Sequence, residues 1–178
     1  MEIQYNIVTW EPQTPWPIMA QLPQSWQAHL QHHKQEDKRK QAAFGYELLF
    51  KMVVKWLGVA PELAVTPAGK PYFLTGDVHF SISHTQGAAM VALAQEPVGV
   101  DIEKIRPISA HMMERVAKAQ NQEVFFKTWV SREAMGKCLG TGITITGQVD
   151  GAGIVATCVR APQGYMAAIA QKNRSGVS

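Results

Sequence analysis

Apolar and polar residues alternate over residues 3–10, with Ile3, Tyr5 and Ile7 set against Gln4, Asn6 and Val8, which predicts a strand. Pro12, Pro15 and Pro17 stop it. From Ser25 the period lengthens. Ser25 is the expected N-cap of a short helix carrying Trp26 and Leu30. A longer helix follows, with Phe44, Leu48 and Met52, then Leu49, Val53 and Trp56, at helical spacing and Gly58 as its stop. Residues 61–71 read as a loop containing Gly69-Lys70-Pro71. Residues 78–83 alternate as a strand that runs into His84-Thr85-Gln86-Gly87, and residues 88–94 form a continuous apolar run, the signature of a buried strand.

Past Pro97 the alternation is sharp: Val98, Val100 and Ile102 fall on one face, and Gly99, Asp101 and Glu103 on the other. Lys104 to Pro107 breaks that strand. A helix is expected over residues 109–117 and a longer one over residues 121–139, stopped by Gly140. A tight turn at 140–142 then leads into strands expected over residues 143–148, 154–160 and 165–171, with a loose tail from 172. Both halves run strand, helical stretch, further strands. The expected fold is therefore α+β: a pseudo-twofold pair of similar halves, residues 1–96 and 97–178, forming one compact unit with the ligand cleft between them.

The composition narrows the function classes. The chain has 178 residues, 46% hydrophobic and 17% charged, as in a globular protein. A net charge of +3 is too small to point to nucleic acid, yet leans toward an acidic ligand or partner. Cys138 and Cys158 have neither metal-ligand spacing nor a framework role, which favours a reducing compartment. No secretion signal or membrane-length apolar run is visible, so a cytoplasmic location without membrane attachment is expected.

Candidate chemistry centres on the strand after Pro97. Asp101 and Glu103 lie two residues apart, about 7 Å between Cβ atoms, so side chains of unequal length can converge on one oxygen-loving cation. Gly99 on the same face is expected to leave room for a ligand. The plain alternative is an edge strand with a solvated polar face. On the later helix, Glu133 lies within one turn of Trp129, Gly136 and Lys137, either as a functional carboxylate or as half of an ordinary ion pair with Lys137. The run Lys34 to Lys40 is either solvated helix surface or a phosphate cradle near a helix N-terminus. His29, His32 and His33 lack a third ligand at supporting spacing and read as surface residues rather than a metal site.

Together, Gly69-Lys70-Pro71, Phe80-Ser81-Ile82-Ser83-His84, Val98-Gly99-Val100-Asp101-Ile102-Glu103, and Trp129 with Arg132-Glu133-Ala134, Lys137 and Gly140 resemble, in order, the motifs of 4′-phosphopantetheinyl transferases of the surfactin-synthetase-activating type. Gly164-Tyr165-Met166-Ala167 is a weaker echo, and the resemblance spans residues 36–170. It implies Mg²⁺-dependent transfer of phosphopantetheine from coenzyme A to a serine of an acyl or peptidyl carrier protein. It further implies that Asp101, Glu103 and Glu133 hold the metal, and that Glu133 and Lys137 are catalytic, with Lys137 near the pyrophosphate. Gly69, Lys70, Pro71, Ser83 and His84 would meet the coenzyme, and Arg39 and Lys40 are candidates for its 3′-phosphate. The general base stays open among Glu114, Glu123, Glu133 and a metal-bound water, because the segment between Asp101 and Trp129 is shorter than in many relatives. Carriers dock in the family on the segment after the metal strand, which nominates Met112 and Met113 with Arg106, Arg115 and Lys118. The alternative function is a coenzyme A- or nucleotide-binding protein without transferase activity.

Overall fold

The computed structural model describes residues 3–67, 69–140 and 153–173. In chain order the elements are β1 (Gln4–Thr9), α1 (Gln24–Leu30), α2 (Glu36–Leu57), β2 (Leu63–Val65), β3 (Pro71–Phe73), β4 (His79–Thr85), β5 (Ala88–Ala94), β6 (Val98–Lys104), α3 (Ala110–Ala117), α4 (Gln122–Leu139), β7 (Ile154–Val159) and β8 (Tyr165–Lys172). The strands form three small antiparallel sheets, β1-β5-β4, β2-β3 and β6-β8-β7, so the fold mixes helices and antiparallel sheet as expected.

The apolar run of β5 makes it the middle strand of its sheet. All seven of its residues are buried because both faces are covered. Val91 and Leu93 pack with Trp26, Leu49, Val53, Phe73 and Phe80 beneath α1 and α2. Met90 and Ala92 pack instead with Val98, Val100 and Ile102 of β6 and Ala167 and Ile169 of β8. The apolar face read from the β6 alternation is thus the face that joins the two larger sheets. Their adjoining edges are stitched by side chains: the amides of Val100 and Ile102 donate to the hydroxyls of Ser81 (3.0 Å) and Ser83 (3.3 Å) on β4. A buried edge strand must satisfy such amides, and hydroxyls on β4 do so without a backbone ladder.

Helix ends follow their local chemistry. Ser109 and Asn121 accept from the amides of Met112 and Val124 and cap α3 and α4. Gly58 and Gly140 close α2 and α4 in the left-handed conformation, at φ 78° and 74°. Two expectations change. Ser25 does not cap α1: Pro23 takes that position, its ring already holding φ near the helical value, and Ser25 falls inside the first turn. Residues 61–71 are not wholly loop, because Leu63–Val65 pairs with Pro71–Phe73. The expected strand at 143–148, the end of the turn at 140–142 and the last residues of the tail lie outside the described residues. Among those described, both cysteines are free, and no helix is long and apolar enough to cross a membrane.

Candidate active site

Helix α4 lies directly over the polar face of β6, and Gly99 permits it. A Cβ at Gly99 would stand 1.9 Å from the Ala134 carbonyl oxygen and 2.4 Å from the Cys138 amide nitrogen. The glycine therefore serves helix approach rather than ligand access, which corrects that expectation. Asp101 is consequently only 3% exposed, not on a solvated face.

The spacing along α4 sorts its residues by face. Val130, Ala134 and Cys138 recur every four residues and pack on the sheet with Ile154, Ala168 and Ala170. Trp129 stacks on Phe125 of its own helix and packs in the cluster that includes Val116 of α3, and the Arg132 guanidinium donates to the Val116 carbonyl, so α3 is held against α4. Glu133 and Lys137, one turn apart, turn toward β6. Lys137 does not pair with Glu133 as an isolated helix would suggest. Its Nζ reaches Asp101 Oδ1 at 2.7 Å, and the Ser83 hydroxyl donates to the same oxygen at 2.7 Å. Asp101 Oδ2 is buried with no hydrogen-bond partner among the described residues.

The carboxylates act on one another. Burial, then Asp101 and Glu103, push the Glu133 carboxyl up to about 7, against the opposing pull of Lys137. Glu103 is also pushed up, by burial and Asp101, although Arg106 reaches its Oε2 at 3.3 Å. Among the described residues no three His, Cys, Asp or Glu side chains are arranged to hold a metal ion. At Asp101 the reason is plain, since an ammonium already sits on one oxygen. The donor chemistry nevertheless suits a hard cation: three coupled carboxylates, two with raised proton affinity, and one buried oxygen without a partner.

Beside this cluster opens a cavity of about 310 Å³. Gly69, Lys70 and Pro71, His84 of β4, and Gly136, Lys137 and Gly140 line it. The turn that presents Lys70 is set by the Thr66 carbonyl and hydroxyl, which accept from the amides of Gly69 (2.8 Å) and Lys70 (3.0 Å), with Gly69 at φ 84°. The Lys70 ammonium donates to the Lys137 carbonyl, tying the turn to α4. Burial pushes the Lys70 ammonium down. Burial, aided by His33, Lys137 and Lys38, pushes His84 down to about 4, so its imidazole is neutral at physiological pH.

The structure thus brings Gly69, Lys70, Pro71, His84 and Lys137 to one cavity, with Asp101, Glu103 and Glu133 electrostatically coupled beside it. Ser83 stands behind the wall, bonded to Asp101. Arg39 and Lys40 are not among the lining residues. Arg39 lies over the Trp16 ring at 5.9 Å, and Lys40 donates to the Pro12 carbonyl. His29 and His33, read from the sequence as surface residues, line the cavity together with Tyr46. Their four-residue spacing was visible, but nothing local showed that β4 would face them.

The chain is 37% identical over 89 residues to the 4′-phosphopantetheinyl transferase gsp of Aneurinibacillus migulanus, covering 43% of this chain and 37% of that protein. It is 28% identical over 130 residues to a 4′-phosphopantetheinyl transferase of Bacillus subtilis, covering 64% and 57%. This chain is similar to the 4′-phosphopantetheinyl transferases. Similarity extends to the transferase Sfp of Bacillus subtilis strain 168, at 31% identity over 81 residues, covering 39% and 36%. The chain spans between about a third and somewhat over half the length of these relatives. No protein-family model matches it.

Proposed function

We propose that this protein transfers the 4′-phosphopantetheine group from coenzyme A to a serine hydroxyl of an acyl or peptidyl carrier protein, with Mg²⁺ as cofactor. The observation that carries the reading is the coupled set Asp101, Glu103 and Glu133 at the edge of a cavity that also presents Lys70, Lys137 and a neutral His84. Cations beside carboxylates suit a pyrophosphate, whose cleavage needs charge neutralisation more than covalent help.

In this reading residues 1–96 and 97–178 are the two halves of a pseudo-twofold pair, and the cavity lies where they meet. Asp101, Glu103 and Glu133 would hold Mg²⁺, with Asp101 Oδ2 as the oxygen free for it. Bound there, the ion would neutralise developing charge on the pyrophosphate. Lys70 and Lys137 meet phosphate oxygens through ammonium protons left over after their bonds to the Lys137 carbonyl and Asp101. The neutral His84 donates or accepts a single hydrogen bond to the nucleotide end, and Gly69 and Pro71 shape the turn against it. The serine oxygen forms a bond to the phosphorus bearing the pantetheine arm as the bond to adenosine 3′,5′-bisphosphate breaks. The serine proton passes to a carboxylate or water of the site, and Glu133 serves only through an oxygen free of the ion, because a bound cation lowers the proton affinity that burial raises in the free protein. Glu123 suits that task less, being exposed and held down by Lys127 at 2.6 Å.

The carrier docks, in this proposal, on α3. Met112 is 40% exposed, while Met113 packs with Val116, Phe125 and Phe126, so Met112 is the contact of the pair and Met113 belongs to the α3–α4 core. Changing Met112 to Glu should raise the carrier KM and leave coenzyme A affinity and Tm in place. An unchanged carrier KM would remove α3 from the docking surface. The reading of a coenzyme A-binding protein without transferase activity predicts binding with no modified carrier, and a transfer assay separates the two.

A further inference from the structure

The two oxygens of Asp101 are held unequally. Oδ1 accepts from the Lys137 ammonium and from the Ser83 hydroxyl, each at 2.7 Å. Oδ2 is buried and has no hydrogen-bond partner among the described residues. Ser83 is itself pinned, since its hydroxyl oxygen accepts from the Ile102 amide at 3.3 Å. The carboxylate is therefore fixed in rotation, with one oxygen occupied and the other bare. Glu103 is paired as well, with the Arg106 guanidinium at 3.3 Å. Two of the three carboxylates thus carry a cation of the protein's own. Lys70 adds a further positive charge beside Lys137, where its ammonium is bonded to the Lys137 carbonyl.

A carboxylate that already holds an ammonium is a poor ligand for a second cation. The two positive charges would stand within the span of one carboxylate group, buried where water and salt screen them little. An anion can relieve that conflict. The Lys137 side chain is 31% exposed and lines the cavity, and its ammonium has protons beyond the one given to Asp101. An anion in the cavity can accept those protons while the bond to Asp101 stays in place.

We propose that Lys137 holds down the affinity of the carboxylate site for a divalent cation until a diphosphate is bound. In the free protein its ammonium stands on Asp101 in the ion's stead. With a diphosphate in the cavity, phosphate oxygens offset the ammonium charge, and Lys137 becomes a bridge between Asp101 and the phosphates rather than a rival of the ion. The inference rests on the metal and coenzyme A reading of the site and adds an order of binding, in which the ion gains its full hold only with the diphosphate. Bonds from the ion to phosphate oxygens would couple the two ligands by themselves. What sets Lys137 apart is its effect when no diphosphate is present.

The test follows binding of Mn²⁺, an oxygen-seeking ion with a paramagnetic resonance signal, to the whole protein with and without inorganic pyrophosphate, the ion's own affinity for pyrophosphate being measured without protein. The parent should bind Mn²⁺ about tenfold or more weakly without pyrophosphate than with it. Lys137→Gln removes the charge while its amide can still donate to Asp101. It should bind Mn²⁺ alone about tenfold tighter than the parent and gain less from pyrophosphate. Lys137→Met gives the same readout should the glutamine variant fold poorly. Lys137→Arg keeps the charge and should stay weak without pyrophosphate. Lys70→Met removes a charge that is not bonded to Asp101 and should tighten Mn²⁺ alone far less than Lys137→Gln. Equal tightening by these two variants, or none by Lys137→Gln, overturns the role of Lys137 while leaving the metal reading standing. A parent that binds no Mn²⁺ under either condition overturns both.

Discussion

The Lys137 ammonium stands 2.7 Å from Asp101 Oδ1, joining α4 to β6 at the centre of the site. The pair binds residues 36 positions apart and leaves the second oxygen of Asp101 buried without a partner. It places a cation among three carboxylates in the free protein, and a second cation, when bound, must share that field.

Replacing Gly99 by alanine tests how closely α4 must approach. The new Cβ would lie 1.9 Å from the Ala134 carbonyl oxygen, against backbone that cannot yield without moving the helix. The expected loss is about 3 kcal/mol or more in a urea melt, with transfer lost as Glu133 and Lys137 shift away from β6. A melt within about 0.5 kcal/mol of the parent would show that α4 does not depend on this contact.

In the proposed site Glu133 would make Mg²⁺ binding depend on pH. Its carboxyl is raised above the ordinary glutamate value, to about 7, so the unfolded chain gives up that proton more readily than the folded one. Its contribution to stability is full below pH 4.5 and is lost as pH rises through about 7. A bound cation removes the penalty. The Mg²⁺-induced rise in Tm should therefore be larger at pH 8 than at pH 6, and in Glu133→Gln it should be small and nearly flat. An equal rise at both pH values would separate Glu133 from the cation.

His84 gives a signal of the opposite sense. Its folded value is lowered from 6.5 to about 4, so stability is full above pH 6.5 and falls as pH drops toward 4. The whole effect is at most about 3 kcal/mol. Chemical denaturation at pH 7.5 and pH 4.5 should show a part of that loss which His84→Gln removes. A variant with the parent's pH slope would mean that His84 is not held neutral by its surroundings.

Sequence periodicity revealed the elements and the residue types of the site, because each strong pattern is local. The seven apolar residues of β5 and the repeat of α2 needed no partner to be read. What escaped depends on contacts across the fold. A single strand cannot show which helix lies above it, so Gly99 read as space for a ligand when it is space for α4. The β2–β3 pair has three residues per strand, too few for a period to emerge. The spacing on α4 offers Glu133 as one of two readings for a Lys137 partner, whereas the partner is Asp101 on another element. The basic run was legible, but where each member points was not: Arg39 and Lys40 turn to Trp16 and Pro12, and the charge of Lys38, itself exposed, reaches His33 and His84.

The most direct test is the mass of an apo carrier protein after incubation with coenzyme A, Mg²⁺ and this protein. The account predicts a gain of one phosphopantetheine group on the carrier serine, lost on chelation of the metal and reduced at least about a thousandfold in rate in Asp101→Ala, as expected when a charge-neutralising group is removed. An unmodified carrier in the presence of protein that demonstrably binds coenzyme A, or full modification by Asp101→Ala, would contradict it.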